Sequence, residues 1–290
     1  MTAPILEPKR ARTLPNRVRH LLTSPRGVVG LCVTLIMLVL ALLSLFGLLP
    51  HDPLNQVPAS RFLSPSFEHI FGTDQFGRDV FSRAATGVGS SMQVAIVAVT
   101  LSALVGTFLG VSAGFFRGLS DSVVSALTNI LFAFPPLLLA LTLASVIERN
   151  WFTVAIAIAI VYVPIFIRVT RGPVLSLREI EYVRASVSTG QSRLSIMLRH
   201  VLPNISPTII VQVTLSLSWA VLTEASLSYL GLGTPPPIPS LGSMVFDARA
   251  LFYVAPWMMV GPGIMIALLI LGLNLLGDAL RDVFDPRTSR

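Results

Sequence analysis

Charged side chains are scarce in this sequence. Of its 290 residues, 12% are charged and 53% are hydrophobic, with a mean hydropathy of +0.77. Soluble domains carry about a quarter of their residues as charges. The composition therefore excludes an ordinary soluble domain and predicts a membrane protein.

Lysine and cysteine are almost missing. Lys9 is the only lysine, so the chain has no Walker A loop, which needs a lysine after a glycine-rich segment, and we expect no ATP binding by this chain itself. Cys32 is the only cysteine, which excludes an intrachain disulfide. The net charge is +7, but the arginines are dispersed along the chain, so nucleic acid is not an expected partner.

Signatures of an intramembrane enzyme are also missing. The sequence has no His-Glu-x-x-His motif of the kind that metalloproteases use. A serine protease would need a base beside its serine, and the four histidines fall outside the apolar segments: His20, His51, His69 and His200. We therefore predict no catalytic residue.

Six apolar segments are about as long as the ~20 helical residues that cross a bilayer. They run over about 28–49, 92–116, 122–147, 152–169, 207–230 and 256–276. The first is too long for the h-region of a signal peptide, so we predict that it is retained. The prediction is an all-α polytopic membrane protein with a tail at 1–27, a first transmembrane helix at 28–49, an extracytoplasmic segment at 50–90, a five-helix core at 91–278 and a tail at 279–290.

The basic residues indicate an orientation. Six spans place both termini on one side, and sixteen of the 21 basic residues lie on that side. Because basic residues concentrate in cytoplasmic loops, both tails and the polar loop at 176–204 are predicted to be cytoplasmic.

That loop carries helix-boundary signals. Ser176 and Glu179 fit a capping box, and Gly190 stands where a helix end favours a left-handed residue. Ser192 can cap a second helix, which Pro203 is expected to end. This second helix has one apolar stripe: Leu194, Met197, Leu198 and Val201. Two short helices joined by a glycine predict a surface for a partner protein, with an unpartnered solvated loop as the alternative.

The loop also resembles the coupling loop of ABC importer permeases, whose pattern is Glu-Ala-Ala, three residues, Gly, and an Ile-x-Leu-Pro ending. Ala185, Gly190, Leu202 and Pro203 match this pattern, whereas Arg184, Ser186 and His200 replace its Glu, second Ala and Ile. The resemblance implies that the loop at 173–205 contacts an ATPase. The expected contact residues are Glu181, Arg184, Ala185, Ser186, Gly190, Leu202 and Pro203.

The run at 71–83 is similar to the Phe-Gly-Thr-Asp-x-x-Gly-Arg-Asp-x-x-Ser-Arg segment that precedes the second span of peptide-type permeases. Its expected key residues are Asp74, Gly77, Arg78 and Asp79, with the charges paired locally. A metal held by His69, Asp74 and Asp79 is conceivable, but the spacing fits no standard ligand pattern, so ion pairing is favoured and no metal is predicted. The segments at 224–233 and 274–287 also resemble this family.

Several residues at membrane depth are candidates for the translocation path or for helix contacts. Glu224 is either a functional carboxylate or, as we favour, a neutral tie between helices. Pro135 and Pro136 predict either a kink or a bend that lines a path, and Pro262 predicts a hinge or kink. A small-residue face, expected to pack within the chain or against another subunit, consists of Ser102, Gly106, Gly110 and Gly114.

The resemblance implies the second permease of a peptide- or nickel-type ABC importer in the bacterial cytoplasmic membrane, with type I architecture. It implies a homologous permease subunit, two ATP-binding subunits or domains that hold ATP and Mg, and an extracytoplasmic binding protein. The expected cargo is di- or oligopeptides, moved by alternating access, with nickel chelates or another small solute as the alternative. A self-powered secondary transporter is disfavoured, because one intramembrane carboxylate and no evident repeat are weak support for it.

Overall fold

The computed structural model describes residues 22–146 and 148–284. In that part of the chain, ten α-helices follow one another, and a π-helical turn at Met197–Val201 connects α7 to α8. The helices are α1 (Pro25–Leu45), α2 (Val80–Phe116), α3 (Gly118–Phe132), α4 (Pro136–Val146), α5 (Trp151–Leu177), α6 (Glu181–Ser188), α7 (Arg193–Ile196), α8 (Leu202–Tyr229), α9 (Leu241–Ala248) and α10 (Trp257–Phe284). Short 3-10 turns cover Pro58–Ser60 and Arg249–Leu251.

Among the described residues, five helical stretches are long and apolar enough to cross a membrane: α1, α2, α5, the stretch from Arg193 to Tyr229, and α10. The third predicted span, about 122–147, is not one helix, because α3 and α4 meet at an angle of 92°. Pro135 and Pro136 lack backbone donors, so α3 ends before them, and Leu139 N donates to Pro135 O (3.1 Å) to open α4. Counting the bent pair as one span gives six.

Several helices extend beyond the apolar segments that predicted them. α2 begins at Val80 instead of about Met92, because the Asp79 side chain accepts a hydrogen bond from Ser82 N (2.7 Å) and caps it. α1 covers 25–45 instead of 28–49, and α10 continues to Phe284. Hydropathy predicts the part of a helix in lipid, and the caps set where the helix ends. The predicted tails at 1–27 and 279–290 are shorter than expected, because α1 begins at Pro25 and α10 continues to Phe284, and their residues 1–21 and 285–290 lie outside the described residues.

The small-residue face of α2 packs against α5 within the chain. A Cβ atom on Gly106 would lie 2.5 Å from Phe166 Cβ and 2.7 Å from Val163 O, so only glycine permits this approach. The Ser102 hydroxyl donates to Ala159 O across the same contact (3.1 Å). α8 packs against α2, α5 and α10, and α1 lies along α10 and α2. Residues 178–201, which include α6, α7 and the π-helical turn, connect α5 to α8.

Candidate translocation groove and coupling surface

The α5–α8 connection, residues 178–201, begins differently from the prediction. α5 continues through Ser176 to Leu177, so the capping box of Ser176 and Glu179 does not form, and α6 begins at Glu181. Continuing an established helix adds one hydrogen bond per residue without a new nucleus. Pro203 does not end the second helix either. Leu202 N donates to Met197 O through the π-helical turn, and the chain continues through Pro203 into α8.

The end of α6 is the predicted left-handed glycine. Gly190 has φ +77°, and its N–H donates to Val187 O (3.1 Å), while Gln191 N donates to Ser186 O (3.2 Å). These two bonds make a Schellman motif, which satisfies the last carbonyls of the helix. Ser192 caps α7 as predicted, accepting from Ser195 N at 3.3 Å.

The α5–α8 connection is fixed to the helix ends by a buried cluster. Val183 is 0% exposed, and it packs in a cluster of side chains from α2, α5, α7, the π-helical turn and α8: Val111, Phe115, Val174, Ile196, Met197, Val201 and Ile205. The Arg178 guanidinium donates to Phe115 O (2.5 Å). Asn204 Nδ2 donates to the Tyr182 hydroxyl at 3.0 Å. The connection is therefore packed against the core on one side.

The other side of the α5–α8 connection is exposed. Among the predicted contact residues, Ser186 and Leu202 are half-buried, and the rest are exposed: Glu181, Arg184, Ala185, Gly190 and Pro203. The predicted apolar stripe divides in two, since Met197 and Val201 are buried whereas Leu194 and Leu198 are 62% and 55% exposed. This surface combines exposed leucines with basic side chains on a rigid base, which suits contact with another protein.

A groove of about 550 Å³ runs between the α3–α4 bend, α5 and α8. One wall is apolar, and the α8 wall carries a polar stripe. In the lining, the Gln212 amide donates to Ser216 Oγ (3.1 Å), and the Tyr162 hydroxyl lies 3.0 Å from Thr223 Oγ1. Ser226 continues the stripe. None of the described residues that line this groove is an acid, a histidine, a lysine or an arginine.

Sequence reasoning missed this stripe, although a signal for it was present. Gln212, Ser216, Trp219, Thr223 and Ser226 are spaced by four, three, four and three residues, which places them on one face of a helix.

The structure places the four candidates at membrane depth, Pro135, Pro136, Glu224 and Pro262, in different surroundings. Pro136 lines the groove and Pro135 lies in the bend beside it. Glu224 is 0% exposed and does not line the groove. Its Oε1 accepts from the Ser228 hydroxyl at 2.6 Å, and Ser91 of α2 is its neighbour across the helix contact. Pro262 is buried inside α10, which continues through it.

The 71–83 motif, at the opposite end of α2, is a tightly bonded turn. Asp74 Oδ1 accepts from Phe76 N (2.8 Å) and Arg78 N (3.0 Å), and Asp74 Oδ2 pairs with Arg78 Nε (2.6 Å). Gly77 has φ +73°, and a Cβ atom there would lie 2.7 Å from the Val57 carbonyl carbon. Asp79 caps α2 and pairs with His69. The motif thus fixes the segment after α1 to the start of α2.

A charge partner of this motif escaped sequence reasoning because it comes from a distant part of the chain. Asp247 of α9 lies in one small cavity with Asp74, Arg78 and Arg83. Burial raises the pKa of Asp247, and the charges of Arg83, Arg78 and Arg249 only partly oppose this shift.

Comparison with known proteins decides the family. Residues 106–290 match the family described as "Binding-protein-dependent transport system inner membrane component". The chain belongs to this family. A dipeptide transport system permease, DppC of Alkalihalophilus pseudofirmus, is 44% identical to this permease over 79% of the chain and 76% of the relative. A glutathione transport system permease, GsiD of Pectobacterium atrosepticum, is 35% identical over 99% of the chain and 95% of the relative.

Solved structures support the fold. A chain from inward-facing conformations of the MetNI methionine ABC transporter gives a TM-score of 0.56 at 20% identity, covering 69% of this permease and 95% of that chain. A chain of an amino acid ABC transporter solved with histidines gives 0.52 at 14% identity, covering 68% and 91%. The all-α, polytopic fold and the resemblance to ABC importer permeases are therefore confirmed.

Proposed function

We propose that this permease forms half of a path for di- or oligopeptides and is driven by ATPase subunits that contact the α5–α8 connection. The observation that carries this proposal is the placement of that connection. It joins α5 and α8, two of the helices whose side chains line the groove. Because α6 lies in the chain between α5 and α8, a displacement of α6 is transmitted along the backbone to these two groove-lining helices.

The groove chemistry supports a peptide cargo. Its polar stripe supplies amide and hydroxyl groups that can hydrogen-bond a peptide backbone, and its other wall accepts apolar side chains. Because the described lining holds no ionised group, it has no fixed charge that would attract or repel a charged peptide side chain. The dipeptide and glutathione systems of the relatives support the same class. Nickel chelates and other small solutes remain the alternative cargo.

The groove also supports a second permease subunit as its complement. The groove is open at its edge, where Trp219 is 60% exposed and Phe134 is 52% exposed, and the polar side chains of the stripe beside them would be costly to leave against lipid. We propose a homologous permease there, two ATP-binding subunits or domains that hold ATP and Mg at the α5–α8 connections, and a substrate-binding protein at the end that holds the 71–83 motif. In this arrangement both termini are in the cytoplasm, and this chain is not itself an enzyme.

Cysteine labelling tests the path. In a Cys32→Ser background, Ser226→Cys should react with a water-soluble thiol reagent, and transported peptide should slow that reaction. Ser102→Cys is the matched control, because Ser102 is 0% exposed at the α2–α5 contact and should not react. Equal labelling of both cysteines, or labelling of Ser226→Cys that ignores nucleotide and peptide, would contradict the groove as the path.

Cargo is tested separately with the assembled importer in vesicles. ATP-dependent uptake of a labelled dipeptide is the expected result. Uptake of a nickel chelate without dipeptide uptake would retain the path and replace the cargo.

A further inference from the structure

Three side chains that commonly bind metals meet beside the 71–83 motif. His51, His69 and Asp79 can each offer one ligand atom, and these atoms lie within 4.8 Å of one another. The three residues come from separate pieces of chain. His51 follows α1, His69 precedes the motif, and Asp79 caps α2.

The contacts within this cluster are already close to those of a metal site. His69 Nδ1 is 2.9 Å from Asp79 Oδ1, and the two side chains are 13% and 4% exposed. The imidazole rings of His51 and His69 lie with centroids 4.7 Å apart. Asp79 Oδ2 is engaged by Ser82 N, which holds the carboxylate still and directs its other oxygen to His69.

One buried nitrogen of the cluster is not satisfied by a hydrogen bond. His51 Nδ1 is buried, and it has no hydrogen-bond partner among the described residues. A pair of His69 and Asp79 alone explains their contact, but it leaves the second imidazole with an unsatisfied buried nitrogen, which is costly. A cation between the three side chains would be bound by the lone pair of one nitrogen from each imidazole.

We propose that His51, His69 and Asp79 bind one zinc ion, with water as the fourth ligand, and that the ion ties the segment after α1 to the N-terminus of α2. Two imidazoles and one carboxylate are a donor set suited to Zn²⁺. Tetrahedral ligation with bonds of about 2.0–2.2 Å places donor atoms about 3.3 Å apart. His69 and Asp79 are within that separation, so binding requires mainly a rotation of the His51 side chain.

This site is separate from the proposed peptide path, and its test does not depend on transport. The full-length permease is purified, stripped with a chelator, and titrated with ZnCl₂ by calorimetry, with metal content measured after dialysis. The native chain is expected to bind one zinc more than His51→Gln, and zinc should raise the thermal unfolding temperature of the native chain only. Loss of this ligand should weaken zinc binding by more than the roughly 10–100-fold that loss of an outer-shell partner costs.

Glu68→Gln is the matched control, because Glu68 is an exposed carboxylate next to His69 and should leave zinc binding unchanged. His69→Gln gives a second test of the ligand set. If either histidine variant proves unstable, the absorption spectrum of the Co²⁺-loaded native chain replaces it, and bands of a site with histidine ligands are expected. Identical zinc content and affinity in the native chain and both histidine variants, or a Co²⁺ spectrum of the hydrated ion, overturns the proposal.

Discussion

Val183→Ala should loosen α6 from the rest of the permease. The Val183 side chain is fully buried in the cluster beneath the α5–α8 connection. Alanine removes two methyl groups, each worth about 0.8 kcal/mol of transfer free energy, and leaves a small cavity, for a total of about 2 kcal/mol. A helix of eight residues is not stable in isolation, so this loss falls almost entirely on the local stability of α6.

Hydrogen exchange measures that loss directly. A change of about 2 kcal/mol corresponds to about 30-fold faster exchange of the α6 amides, since each 1.4 kcal/mol is a factor of ten. Val187→Ala is the matched control, because Val187 is the same residue one turn later on α6 and is 52% exposed. Its effect should stay within about 0.5 kcal/mol, or roughly twofold.

The same pair of variants tests coupling. If α6 transmits displacement only while it is seated, Val183→Ala should retain ATP hydrolysis by the assembled importer while peptide uptake falls. Equal exchange in the two variants would refute the inference that Val183 seats α6. Faster exchange with unchanged uptake per ATP would leave the packing argument intact and refute the role of a rigid α6 in coupling.

Three further predictions concern single positions. Gly190→Ala should destabilise the turn after α6 by about 1–2 kcal/mol, because alanine is strained at φ +77° even though its Cβ would meet open space, and the ratio of peptide uptake to ATP hydrolysis should fall. In Gly172→Ala the Cβ would also meet open space, but the residue lies inside α5, so thermal unfolding should show a permease that is more stable by about 0.5–1 kcal/mol. Glu224→Gln should be mild in transport at all pH values, since the amide can still accept from Ser228, whereas Glu224→Ala should cost about 2–4 kcal/mol of stability; a severe, pH-dependent defect in the Gln variant would show that the charge is used. Folding raises the pKa of Asp247, so the stability that its protonation contributes is fully present below the unfolded-state pKa and is lost as pH rises through the folded-state pKa. Asp247→Asn should remove that part of the pH dependence of thermal unfolding, and an unchanged pH profile would contradict this prediction.

The predictable parts of this permease are those encoded over short distances in the chain. Gly190 and Ser192 were identified because a left-handed residue and a helix cap are local requirements. Pro135 and Pro136 predicted a break for the same reason, although the 92° angle depends on what α3 and α4 pack against. The start of α6 was missed, since the sequence permits α5 to end at several points and packing selects one of them.

The groove and the proposed zinc site were not predictable in the same way, because each depends on segments that are distant in sequence. His51 is 28 positions before Asp79, and no ligand spacing connects them; only the turn around Asp74 and Gly77 brings His69 back to the cap of α2. The helical period of the polar stripe on α8 is present in the sequence. Its role depends on the α3–α4 bend, which lies apart from the stripe and leaves the groove between them. A polar face on a membrane helix can pack or line a path, and here the gap opposite it favours the path.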